Sequence, residues 1–129
     1  MTTPDLAAAA AALETADAAI ATAIAHLTEQ GGPDRNQVLA YDLAHAGAGI
    51  ATARAMLPYG AHGDTEASLA CGFAADAIHD FAGKLLGREA MWGVERDALA
   101  ATAEFVTTYR DPEFVASLAT TPGSRHLPD

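Results

Sequence analysis

Residues 34–92 read DRNQVLAYDLAHAGAGIATARAMLPYGAHGDTEASLACGFAADAIHDFAGKLLGREAMW, and this stretch decides the fold. In its first part Leu39, Leu43, Ala46, Ile50, Ala53 and Leu57 recur at alternating spacings of four and three. On a helix of 3.6 residues per turn that spacing puts all six on one stripe. Asp34, following the breaker Gly31-Gly32-Pro33, is the expected N-cap. Pro58 and Gly60 close the helix, because proline lacks the donor that a further turn needs and glycine accepts a left-handed cap. A second helix starts at Asp64 or Thr65, with Glu66 at the positive end of its dipole. Leu69, Phe73 and Ala77 form one line along it, and Ala74, Ile78, Phe81 and Leu85 an adjacent one. Two neighbouring lines make a face wider than a coiled-coil seam, to be buried against further helices. Gly87 is the expected C-terminal cap.

Outward from this hairpin the pattern stays helical. Thr2 or Thr3 can cap a first helix, with Pro4 at its first position. Leu6, Leu13, Ile20 and Leu27 then recur every seven residues, with Ala9, Ala16 and Ile24 between them. On the far side, Arg88 to Val94 is a short connection carrying the single tryptophan, Trp92, expected to plug one end of a bundle. A fourth helix is expected from Glu95 to Tyr109, with Leu99, Val106 and Tyr109 inward. Asp111-Pro112 then starts a short helix to Leu118 that brings Phe114, Val115 and Leu118 onto the bundle. The expected fold is all-α: a four-helix up-down bundle with a short fifth C-terminal helix. Residues 1–119 form the domain, and residues 120–129 have the composition of a flexible linker or tail.

Composition narrows the function classes. A chain of 129 residues is one domain. Half of it is hydrophobic, only 6% is aromatic, and alanine supplies roughly a quarter. Alanine is the best helix former, and its small side chain lets helix axes approach closely. A net charge of −10 with only seven Lys and Arg argues against nucleic acid and against an anionic membrane surface. No run of 18 or more apolar residues is present, and the alanine run Ala7–Ala12 lacks a basic flank. Cys71 has no second cysteine to pair with, so it is expected as a reduced, buried thiol in a cytoplasmic protein.

Candidate chemistry is sparse. Asp42 and His45 lie three apart on one helix, the spacing of half a di-metal carboxylate site. The nearest complements are His79 and Asp80, which point about 100° apart, and His26. The set is incomplete, so Asp42 and His45 are read instead as partners in hydrogen bonds across a helix interface. Cys71 lacks a neighbouring base, Ser68 and Ser117 have no paired base recognisable from spacing, and Gly47-x-Gly49 does not join a strand to a helix as a phosphate loop must. Gly47 and Gly49 instead read as points of close helix approach. An inter-helix pocket lined by Tyr41, His45, His79 and Trp92 is the remaining candidate ligand site.

Two runs resemble the helical domain of the acyl-CoA dehydrogenase superfamily: Asn36 to Ala46 with Ala53 to Gly60, and Glu66 to Ala77 with Leu85-Leu86-Gly87. The chain is similar, more particularly, to the helical region upstream of the flavin-binding core in some bacterial acyl-CoA dehydrogenase-like proteins. There Tyr109 to Phe114 and Pro122 to Leu127 would lead into a full dehydrogenase. The resemblance departs from the family at Gly87-Arg88, where a diglycine turn is usual, and no position matches the family's catalytic glutamate motif. It therefore implies FAD in the related enzyme, no cofactor held by this chain alone, and no catalysis by this chain alone. The expected role is an accessory or assembly domain, packing on a flavoenzyme core or on a second copy of itself. Two alternatives stand beside it: a small ligand binder or enzyme with a pocket between helices, and a split subunit that completes a flavin site in a complex.

Overall fold

Asp5 starts the first helix. Its carboxylate accepts a hydrogen bond from the Ala8 amide at 2.9 Å, and α1 runs from Leu6 to Glu29. The expected threonine cap with Pro4 inside the helix is thus corrected: aspartate is the stronger N-cap, and the chain from Thr2 to Pro4 leads up to it. A computed structural model of the chain describes residues 2–120, and among these the fold is all-helical with no strand.

The two glycines after α1 turn the chain with positive φ, 102° at Gly31 and 84° at Gly32, a region that side chains with a Cβ avoid. A single 3-10 turn, Pro33–Arg35, follows. Asp34 lies within that turn and does not cap the next helix. Asn36 takes the N-cap position, and its side-chain amide donates to the carbonyls of Gln30 and Gly32 at 2.9 and 3.0 Å. The reversal is thereby tied down, and the start of α2 moves to Gln37.

Helix α2, Gln37–Ala55, buries Leu39, Leu43, Ala46, Ile50 and Ala53, the stripe expected from spacing. It breaks at Met56, and Leu57–Gly60 forms the one-turn α3 with Pro58 in its first turn. Helix α4, Asp64–Leu85, buries Ala67, Ala70, Cys71, Ala74, Ala75, Ile78, Phe81 and Leu85. Glu66 is buried too, its carboxylate folded back to 3.2 Å from where a Cβ on Gly63 would stand. Gly87, at φ 83°, ends the helix as expected.

Past α4 the fourth helix is shorter than expected. Glu89–Trp92 makes the one-turn α5, and Gly93 reverses the chain at φ 69°. Residues 96–99 are turns, held by bonds of Ala98 N to Glu95 O and Ala100 N to Asp97 O. A 3-10 turn at Ala100–Thr102 leads into α6, Ala103–Tyr109. The Thr102 hydroxyl donates to Leu99 O at 2.7 Å, a local bond that competes with regular helix. Helix α7, Pro112–Thr120, is capped by Asp111, whose carboxylate accepts from the amides of Glu113 and Phe114. The expected domain boundary at residue 119 falls inside α7, and the expected tail lies outside the described residues from 121 onward.

Helix α4 is the central post: α1, α2, α3, α6 and α7 all pack on it, and α1 also packs on α2. By length and mean hydropathy α1 is apolar enough to cross a bilayer, unlike what its interrupting charges suggested. In this fold its stripe of Ala9, Leu13, Ala16, Ile20, Ala23 and Leu27 is buried in the core, while Ile24 faces outward.

The tight approaches are not at the expected glycines. A Cβ at Gly47 or Gly49 would sit 3.9 Å from its nearest neighbour, an ordinary contact. At Gly60 it would meet Leu6 at 2.8 Å and the Ala67 backbone at 3.3 Å, whereas at Gly83, within α4, it would meet nothing. The two positions respond oppositely to the same methyl. Gly60→Ala is expected to cost about 1–3 kcal/mol by overpacking, and Gly83→Ala to gain roughly 0.5–1 kcal/mol in helix propensity. Urea unfolding followed by circular dichroism reads both.

Candidate functional site

The four candidate ligand residues do not form one pocket. His45 on α2 and His79 on α4 share a shallow depression of about 440 Å³, together with Asp80 and Lys84. Tyr41 stands outside it, 67% exposed, its ring tilted over that of His45 at 4.4 Å between centroids. Trp92 is wholly buried, its indole 5.5 Å from the Phe81 ring. Placing Trp92 in a pocket with the histidines is therefore corrected: α5 turns it into the core, where it serves as the plug. Its Nε1 has no hydrogen-bond partner among the described residues.

Asp42 is engaged elsewhere. It accepts from Arg88 at 3.0 Å, a partly exposed ion pair that ties the turn after α4 to α2, worth about 0–1 kcal/mol. Among the described residues no group of three or more His, Cys, Asp or Glu is placed to hold a metal ion. His26 packs its ring against Gly93 and does not line the depression shared by His45 and His79.

A second polar feature was not legible in the sequence. The Tyr109 hydroxyl donates to Thr3 O at 2.8 Å, and the Cys71 thiol donates to Asp5 O at 3.6 Å. Together they hold the chain before α1 against α4 and α6. Burial pushes the Cys71 thiol above its ordinary value, and the negative charge of Asp5 adds to that. Tyr109 is raised as well, again chiefly by burial. Both groups are thus inert neutral donors, and a thiolate nucleophile is disfavoured at Cys71.

The third feature is apolar. Met56 and Tyr59 on one side and Val115 and Leu118 on the other border an open valley of about 590 Å³ floored by Leu69 and Phe73 of α4. Phe73 is 40% exposed and Val115 48%. Of the two apolar lines expected on α4, the one through Ala74, Ile78, Phe81 and Leu85 is covered, and the one through Leu69 and Phe73 is left half open. Val115, expected inward, lies on the rim; Phe105, which periodicity had not singled out, is buried instead.

Two outcomes follow from this geometry. A core role for Trp92 predicts that Trp92→Ala costs about 3–5 kcal/mol in a urea titration; a loss below about 1 kcal/mol would mark a surface side chain. For Cys71 and Tyr109 the folded pKa values lie above the unfolded ones, so their contribution is complete below about pH 9 and is lost as pH rises further. Stability should therefore fall from about pH 9 upward, and less steeply in Cys71→Ala. Native Cys71 should also resist a thiol reagent at pH 8 until urea unfolds the chain.

The chain matches no protein-family profile, no curated protein and no solved structure.

Proposed function

We propose that the chain is a non-catalytic helical accessory or assembly domain of an acyl-CoA dehydrogenase-like flavoenzyme, acting by packing on another protein surface. The observation that carries this reading is the half-open line of Leu69 and Phe73 on the helix that organises the core. An apolar strip of this kind on a small acidic protein is an interaction surface more readily than a reaction site. The chemical candidates support it by their other employment: Asp42 pairs with Arg88, Trp92 plugs the core, and Cys71 latches the N-terminal segment. The resemblance of Asn36 to Trp92 to the dehydrogenase helical region supplies the flavoenzyme, with FAD held by the partner. On the same reading α1, α2, α4 and the α6 arm form an up-down bundle, supported by the packing of each on the next. The setting is cytoplasmic, and the partner is a flavoenzyme core, with a second copy of the chain as the rival occupant.

A second reading, a small ligand binder, is favoured by the depression that brings His45 and His79 together across α2 and α4. The two separate cleanly. Size-exclusion chromatography with light scattering should show the chain co-eluting with an FAD-loaded acyl-CoA dehydrogenase of its own organism. A strictly monomeric chain that ignores that enzyme contradicts the assembly reading. Thermal melts with FAD or an acyl-CoA should move by less than about 1 °C, since a ligand at a hundred times its Kd would add about 2.7 kcal/mol and several degrees.

A further inference from the structure

Lys84, the single lysine of the chain, lines the depression shared by His45 and His79. It is half-buried there, and among the described residues it forms no hydrogen bond or ion pair. Asp80 lies one turn before it on α4, the spacing at which an aspartate and a lysine commonly pair. Yet the cation beside Asp80 is His79, whose Nδ1 is 3.7 Å away. Lys84 thus keeps its three N–H donors and its charge for something else.

Two helix-interior glycines border the same depression, Gly49 on α2 and Gly83 on α4. Neither is among the glycines with positive φ. An added Cβ at Gly83 would meet nothing within 4 Å, and at Gly49 only the Ala77 methyl at 3.9 Å. Backbone conformation and packing would therefore both accept alanine, and glycine weakens each helix. What the two glycines supply is open space beside bare backbone, a local rule broken where a ligand would use it. The space, about 440 Å³, falls within the roughly 300–1,000 Å³ of small-molecule sites.

Donors outnumber acceptors around it. Lys84 and the two imidazoles offer N–H groups, against the one carboxylate of Asp80, which His79 faces. One fixed cation suits one negative charge; a dianion would be opposed more strongly by Asp80 and by the chain's −10. The rest of the lining, Ala46, Ala77 and Phe81, is apolar and suits a short chain or a ring. We infer that this depression binds the carboxylate of a small organic acid. Lys84 holds the charge, His45 and His79 donate beside it, and Gly83 leaves room for the apolar body. The inference rests on the ligand-binder reading above and names its ligand class; the assembly surface at Leu69 and Phe73 lies outside this depression.

The probe is benzoate, titrated into the full 15N-labelled chain in a buffer free of carboxylate and phosphate. Cyclohexylammonium, a cation of similar size, and inorganic phosphate serve as comparisons. The Gly49 and Gly83 amide resonances should shift saturably with benzoate, with a Kd on the order of 1 mM for so small a ligand. Lys84→Gln should weaken binding at least about fivefold, and Lys84→Arg should keep it within about twofold. Gly83→Leu should raise the melting temperature and abolish binding, an opposition that a merely damaged fold cannot produce. Val115→Ala, on α7, should change neither. The charged and titratable groups around the carboxylate are His79, Asp80 and Lys84 from α4 and His45 from α2, with Asp42 held by Arg88. Protonating either imidazole adds a cation, so affinity should rise from about pH 7.5 to about pH 5.5, less steeply in His79→Gln. Unchanged affinity in Lys84→Gln or in Gly83→Leu overturns the inference. Equal binding of cyclohexylammonium, or tighter binding of phosphate, overturns the carboxylate alone and leaves a ligand site. Gly49 and Gly83 amides unmoved by all three probes overturn the ligand-binder reading itself.

Discussion

Between Ala67 and Ala75 the buried side of α4 is built wholly from small residues, and that constraint governs the rest of the molecule. Ala67, Ala70, Cys71, Ala74 and Ala75 leave little volume between this helix and its neighbours, so α1 and α2 can lie close against it. The large pieces come from elsewhere: Ile78, Phe81, Leu85 and Trp92 toward one end of α4, Leu13, Leu39 and Ile50 from α1 and α2, and Phe105, Tyr109 and Phe114 from the C-terminal arm. Alanine loses no side-chain entropy on burial, which offsets the modest area each one removes from water.

A helix closed this tightly on one side can leave the other side partly open without losing its place. That asymmetry connects core to function here. The elements that could have covered Leu69 and Phe73 are α3, a single turn, and α7, two to three turns seated by Gly72. Neither reaches across. Ion pairs and the latch made by Tyr109 and Cys71 fix the borders of the fold rather than its centre: Arg54 to Asp17, Arg88 to Asp42, and Arg110 to Asp76 each tie one element to another. Of the groups that looked most like chemistry in the sequence, Asp42 and Cys71 are thereby engaged in holding elements together.

Much of the architecture was legible in periodicity. The α2 stripe and the Ala74 to Leu85 line follow from 3.6-residue spacing; Gly87 marks the end of α4 by conformational preference and Asp111 the start of α7 by hydrogen bonding. What escaped depended on partners distant in the chain or on competition between near neighbours. Asp5 displaced two threonines as a cap. Thr102 and a run of three-residue bonds took the first part of the expected fourth helix. No spacing rule announces that Tyr109 bonds to Thr3, 106 positions away. Of the candidate quartet only His45 and His79 share a surface, because α5 turns Trp92 inward and Tyr41 leans out. Spacing told which residues share a helix face, but not which of two apolar lines on α4 the neighbours would cover.

Native-state hydrogen exchange along α4 is the most direct examination of this arrangement. If the small-residue face is what the fold depends on, the amides of Ala70, Ala74 and Ile78 exchange only through global unfolding, with an opening free energy equal to that from urea. The amides of α7 then exchange through a local opening of lower free energy. Exchange of Ala70, Ala74 and Ile78 at the rate of α7, well below the global free energy, would contradict the account.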